Sequence, residues 1–230
     1  MAYQRRLHVR HGYYLVRDTF RPELELLELA PESEHAESEI EAANARRTQY
    51  ETQLLAALTR WRVRLHAHCW LSGSAWLFVE IRYAPLEWLM HSLRSSFSHY
   101  LRREMGITKP HLDRYRTLLV DKEEFFWDVV RYLLLLPQVQ GVCKDSTRYL
   151  GSSATACVGK TVPPFLLNSD LLNHGRRRGI DTRAGLMRFF AERSQPGFVH
   201  LGADYWQHHT LRGFVMLLIK FRQSLLGGGV

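Results

Sequence analysis

The chain has 230 residues, 46% of them hydrophobic and 23% charged, so it can bury a core and is not a disordered polymer. Lys and Arg total 31 against 23 Asp and Glu, a formal net charge of +8 that suits a polyanionic partner. Three cysteines without paired spacing argue against a disulfide framework and fit a reducing, cytoplasmic compartment. No apolar run reaches the roughly 18 residues of a membrane span, and the arginines of residues 1–10 lack the apolar stretch of a secretory signal.

The pattern predicts a first strand over residues 12–17. The acidic part of the chain follows: residues 21–60 hold nine Glu and no Asp against four Arg, a net of −5 inside a body that otherwise carries +13. Residues 22–31 alternate Leu and Glu and read as strand or extended loop. Residues 33–60 are helical, with Ala36, Ile40, Ala43, Leu54, Leu55 and Leu58 mostly at three- or four-residue steps. A solvated helix face is the plain reading of this arm. Residues 62–70 alternate as a strand does, with Val63, Leu65, Ala67 and Cys69 on one side and Arg62, Arg64, His66 and His68 on the other. A turn at 72–74 and a second strand over 75–83 complete a hairpin.

Residues 85–105 form a helix with Leu86, Leu89, Met90, Leu93 and Phe97 on one face, closed by Gly106. A short strand over 115–120 leads to Asp121, a helix N-cap, and to a helix that Pro137 should end near residue 136. Residues 146–161 are a polar, small-residue loop, and helices return near 183–193 and 210–226. The expected fold is α+β, an antiparallel sheet with helices packed on it. Residues 1–165 would form one domain with an acidic helical insertion at about 21–58, and residues 166–230 a helical C-terminal extension.

Local motifs for chemistry are weak. Gly159-Lys160-Thr161 lacks the earlier glycine of a phosphate loop, since position 154 is Ala. His66 and His68, two apart on a strand, would share a face and could hold a metal with a third ligand, though a lone pair of strand histidines is more often packing or surface. His208 and His209 would point apart. The basic run at 175–179 is a solvated loop or a phosphate contact. Trp61, Tyr100, Tyr115 and Tyr132 lie among the arginines and offer stacking surfaces for unpaired bases.

A larger constellation is more specific. The run R-L-H-A-H-C-W-L-S-G-S-A-W-L-F-V-E at 64–80 resembles the central hairpin of the REP-associated tyrosine transposases, members of the single-tyrosine HUH superfamily. Residues 86–106, 114–121 and 131–141, then Tyr149, Ser152, Ser153, Pro163 and Pro164, resemble later family segments in the same order. The resemblance implies a ferredoxin-like core, with a tyrosine nucleophile and a metal held by two histidines and a further polar residue, Mg or Mn in the family. It places the nucleophile on Tyr132 and the three ligand positions on Ser74, Trp76 and Leu136. None of these three is a suitable ligand, so the cofactor expected here is none. Without Lewis-acid assistance a tyrosine of ordinary pKa near 10 is a poor nucleophile toward a phosphodiester.

The expected function is therefore that of a transposase-like protein that binds hairpin or single-stranded DNA, or RNA, without cutting it. Arg5, Arg6, Arg10, Arg114, Arg116 and Arg131 are the expected phosphate contacts. Two alternatives predict different behaviour: an active tyrosine transposase with a metal relocated to His66 and His68, or a protein-interaction module that uses the acidic arm.

Overall fold

In the computed structural model the described residues are 11–20, 36–110, 112–157, 175, 180 and 183–191. Arg5, Arg6, Arg10, the 22–31 segment, Gly159-Lys160-Thr161, Arg176–Arg178 of the basic loop, His208, His209 and the 210–226 helix lie outside them.

The chain runs β1 (Tyr13–Thr19), α1 (Ala36–Trp61), β2 (Arg64–Leu71), β3 (Ser74–Glu80), α2 (Leu86–Arg103), β4 (Arg116–Val120) and α3 (Lys122–Val139). The four strands form one antiparallel sheet in the order β2-β3-β1-β4, the βαββαβ arrangement of a ferredoxin-like unit. The fold is α+β, as the pattern implies, and the helix of the acidic stretch is the first crossover helix of this unit.

The sheet is covered on both sides. Ala75, Leu77 and Val79 of β3 pack with Tyr14 and Val16 against α1 and α2, in a core that includes Tyr50, Leu54, Leu89, Leu93 and Phe97. The alternate residues Trp76 and Phe78 join Tyr13, Leu15, Phe126, Val130, Leu133 and Leu136 on the α3 side. Two covered faces explain why central β3 reads as an unbroken apolar run.

The outer edge of the hairpin is also specified. Edge strand β2 is closed by the segment after α3, which was expected to be a polar loop. That segment contains a 3-10 turn (Ser146–Arg148) and a short helix α4 (Ala154–Cys157). Trp70 N–H donates to Gly151 O at 2.6 Å, His68 N–H to Ser153 Oγ at 2.9 Å, and Tyr149 Oη–H to Trp70 O at 2.7 Å. These bonds consume donors and acceptors that an open edge would present to another chain. A last helix, α5 (Arg183–Ala191), packs near α4.

Two expectations fail locally. The β2 alternation breaks, because Leu65 pairs with Val79 and Ala67 with Phe78, leaving a bulge at His66. One extra residue turns His66 to the α3 side, beside Tyr13 and Phe126, while His68 lies over Trp70 on the α1/α2 side. The two histidines therefore do not share a face. The second failure is the end of α3, which runs through Pro137 to Val139. Pro137 cannot donate to Leu133 O, but the helix continues past this one missing bond and the stop is made by Gly141. With φ +73°, Gly141 donates to Gln138 O at 3.1 Å while Val142 donates to Pro137 O at 2.8 Å, the two bonds of a Schellman cap.

Candidate nucleic-acid interface

The α3 side of the sheet, at the β3 N-terminal end, gathers Arg17, Ser74, Trp76, Tyr132 and Leu136. Strand register puts Arg17 directly opposite Trp76 on one side and Arg116 on the other, so the three share a face. The Arg17 guanidinium lies 5.1 Å from the Trp76 ring centroid. Tyr132 meets the same indole edge-on, with centroids 5.8 Å apart. Trp76 Nε1–H donates to Ser74 Oγ at 2.9 Å, and Leu136 is fully buried in the cluster that also holds Trp76. α3 presents Tyr132 here because Asp121 fixes where the helix starts, accepting the Glu123 N–H at 2.9 Å.

The electrostatics of this corner are those of a phenol next to a cation. Burial pushes the Tyr132 pKa up to about 12, with Arg17 opposing the rise and Cys69 adding to it. Tyr132 is therefore a protonated hydrogen-bond donor at neutral pH. Burial and then Arg116 lower the Arg17 pKa, while Tyr132 raises it. A guanidinium remains charged through such shifts. Arg17 Nε is covered from water and has no hydrogen-bond partner among the described residues, and the same holds for Nε and Nη2 of Arg131. Arg131 lies on α3 next to Tyr132, its guanidinium 5.2 Å from the Phe189 ring. Covered N–H donors without acceptors are uncommon and costly, about 1–3 kcal/mol each, and a phosphate oxygen would satisfy them once a shift of the half-buried guanidinium uncovers them.

The overall geometry has known parallels. The chain is similar in structure to a REP-associated tyrosine transposase solved bound to a REP hairpin, with a TM-score of 0.55 over 70% of this chain and 87% of that one. The two share a fold. Their sequence identity is 12%, and no protein-family model and no curated protein matches this chain.

The residues to which the resemblance assigns the nucleophile and the metal do meet in space, as the Trp76–Tyr132 contact shows. Their chemistry does not fit a divalent cation. The indole N–H has no lone pair to give, Leu136 has no donor atom, and the Ser74 oxygen accepts the indole proton. Among the described residues no group of three or more His, Cys, Asp or Glu is placed to hold a metal. His66 sits instead at 3.2 Å from Glu80 Oε2, stacked on Tyr13, and burial pushes the His68 pKa down to about 3. Arg114 and Arg116 are exposed beside and on edge strand β4. No described helix is long and apolar enough to cross a membrane.

Arg17 was not among the sequence candidates. Its signal is a cation in an otherwise apolar stripe, Tyr13, Leu15, Arg17, on one face of a strand. On the opposite face a buried network was equally unannounced. Asp18 accepts from Tyr50 Oη at 3.0 Å and from Arg94 Nη1 at 2.8 Å, and Arg94 Nη2 donates to Asp113 O at 2.5 Å.

Proposed function

We propose that this protein binds the phosphodiester backbone of a hairpin or single-stranded nucleic acid on the α3 side of its sheet and does not cut it. Arg17 and Arg131 would grip phosphate oxygens, with Arg114 and Arg116, and Arg5, Arg6 and Arg10 of the N-terminal residues, as further contacts. The observation that carries the reading is the half-buried Arg17 guanidinium stacked over Trp76 beside Tyr132, its Nε without an acceptor among the described residues. The +13 carried outside the acidic stretch and the fold shared with a hairpin-bound transposase support it.

In this reading Tyr132 is a binding residue. Protonated and wedged against Trp76, it can donate to a phosphate oxygen, whereas attack would require removal of a proton held at a pKa of about 12. Binding needs only charge neutralisation and hydrogen bonds, which do not depend on the identities of Ser74, Trp76 and Leu136 as ligands. The three cysteines are all unpaired in the structure, which suits a reducing cytoplasm.

The test is a titration of labelled hairpin DNA and RNA with wild type, Arg17→Ala and Arg131→Ala, run with and without Mn²⁺ and resolved on a denaturing gel. Each arginine variant should weaken binding about ten- to a hundredfold and flatten the dependence on log salt by about one unit per lost contact. A Mn²⁺-dependent cleaved product joined to the protein, absent in Tyr132→Phe, would establish the active-enzyme alternative instead. Unchanged affinity in both arginine variants would sink the phosphate reading.

A further inference from the structure

A second surface lies on the other side of the sheet, where α1 ends and α2 begins. Trp61, the last residue of α1, meets Trp88, in the first turn of α2, with ring centroids 5.1 Å apart and planes tilted by 56°. Trp88 is 53% exposed, and Tyr83, in the loop leading into α2, is 69% exposed. Two large aromatic rings left open to water within six residues of chain, one of them paired with Trp61, mark a contact surface more often than single exposed leucines do. The Arg60 guanidinium lies 5.1 Å from the Trp61 ring centroid, and exposed Arg62 follows directly. Neither Arg60 nor Arg62 has a carboxylate partner among the described residues. The nearby Arg64 and Arg82 face Glu80, and Glu87 in the first turn of α2 is the other acidic residue between positions 60 and 88.

The backbone adds an independent observation. α1 ends in the same cap as α3: Val63 N–H donates to Leu58 O at 3.0 Å, and Arg62 N–H to Thr59 O at 3.3 Å. The C′ position of such a cap has positive φ and is the usual place for glycine, yet here it is Arg62, with φ +51°. A side chain in that conformation is strained, and strain of this kind persists where the residue serves something other than the fold. What Arg62 supplies is an exposed cation in the residue directly after Trp61.

We infer that Trp61, Trp88 and Tyr83, with Arg60 and Arg62, form a platform on which unpaired bases of a single-stranded nucleic acid stack while the arginines neutralise its phosphates. The chemistry is that of aromatic faces for bases alternating with cations for the backbone, which requires no particular base sequence. A base-paired stem has no free base face to offer such rings, so the ligand is a single strand, or the single-stranded flank of a hairpin whose stem lies elsewhere. The inference rests on the nucleic-acid reading above but uses a different surface, opposite in face and strand end to Arg17.

The experiment uses the full chain and three probes: a twelve-residue oligothymidylate, a blunt hairpin, and the same hairpin with a single-stranded tail, with binding read by tryptophan quenching and by anisotropy of the labelled probe. Trp88→Ala and Tyr83→Ala, both at exposed positions, should weaken the oligothymidylate about tenfold and erase the advantage of the tailed hairpin over the blunt one. Blunt-hairpin affinity should stay unchanged in these variants and fall in Arg17→Ala. Arg62→Gly should bind the single strand several-fold less tightly while melting about 2–4 °C higher, because glycine relieves the cap. Equal affinity of wild type and Trp88→Ala for the tailed hairpin, with intact circular dichroism, overturns the platform even if the blunt hairpin binds normally. Failure to bind any of the three probes overturns this inference and the Arg17 reading together.

Discussion

Arg17 and Asp18 are neighbours on one strand, of opposite charge, and their side chains pass to opposite faces of the same sheet. Asp18 is fully buried, and its two oxygens are taken by Tyr50 and Arg94, whose guanidinium also reaches Asp113 O. Arg17 leans over Trp76, and its covered Nε finds no acceptor among the described residues. Two half-solved burial problems would look alike in sequence, but only one of these is solved within the described residues. The difference separates a polar group that ties β1, α1 and α2 together from one left open for something outside the fold.

The comparison is broken most directly by removing one arginine at a time. Arg94→Ala leaves a buried carboxylate without its cation and should cost about 3–5 kcal/mol at neutral pH, read by urea denaturation. Arg17→Ala removes a cation that makes no internal hydrogen bond through Nε, and its stability should stay within about 1 kcal/mol of wild type. If Arg17→Ala unfolds as readily as Arg94→Ala, Arg17 belongs to the scaffold and the contrast is wrong.

Acid titration sharpens the same point with two carboxylates. Burial raises the Asp18 pKa from 3.8 to about 6, against the pull of Arg94 and Tyr50. Between about pH 4 and 6 the folded chain thus binds this proton more tightly than the unfolded one, so the Asp18 contribution to stability falls as pH rises through that window, on the order of 3 kcal/mol. Glu80 behaves oppositely. Burial raises its pKa, but hydrogen bonds from His66 and Arg82 outweigh that and bring it from 4.5 to about 2. Its contribution is present above about pH 4.5 and is lost as pH falls toward 2. Buried His68, whose pKa burial lowers to about 3, has the opposite slope to Asp18, so the two offset each other between about pH 4 and 6 and the contrast is read from variants. In thermal melts, Asp18→Asn should make stability rise with pH from 4 to 6, Glu80→Gln should reduce the rise between about pH 2 and 4.5, and an unchanged slope from pH 4 to 6 in Asp18→Asn would contradict the assignment to Asp18.

What the sequence discloses follows from which physical signals leave a local mark. Element order and type were legible, because β3 between two covered faces must be apolar throughout and α2 must repeat Leu86, Leu89, Met90, Leu93 and Phe97 on one stripe. The bulge at His66 was not, since an extra residue in one strand is defined by the partner strand and changes no residue type. The end of α3 was misplaced because Pro137 removes one hydrogen bond, that to Leu133 O, without ending the helix, and the stop is made by Gly141. Tyr132, Ser74, Trp76 and Leu136 were found through a resemblance. Arg17 was not found, since a lone strand cation has meaning only once Trp76 and Arg116 are seen on either side of it. The Trp61–Trp88 pair joins residues 27 positions apart and is a property of how α1 and α2 pack.

The smallest predicted effect compares the two helix ends. α1 and α3 close with identical hydrogen bonds, yet the left-handed position holds Arg62 in one and Gly141 in the other. A Cβ added at Gly141 would meet no atom within 4 Å, so Gly141→Ala isolates the conformational cost from any clash. That cost should be about 1 kcal/mol, a fall of about 2–4 °C in melting temperature for a chain of this size. Arg62→Gly should move the melting temperature by a similar amount in the opposite direction, because it makes the inverse exchange in the same cap. Were Gly141→Ala neutral, positive φ would carry no penalty in this motif, and the choice of arginine at position 62 would lose its meaning as a sacrifice of stability. A matched pair of shifts would instead make the strain at Arg62 a measured quantity, independent of any ligand.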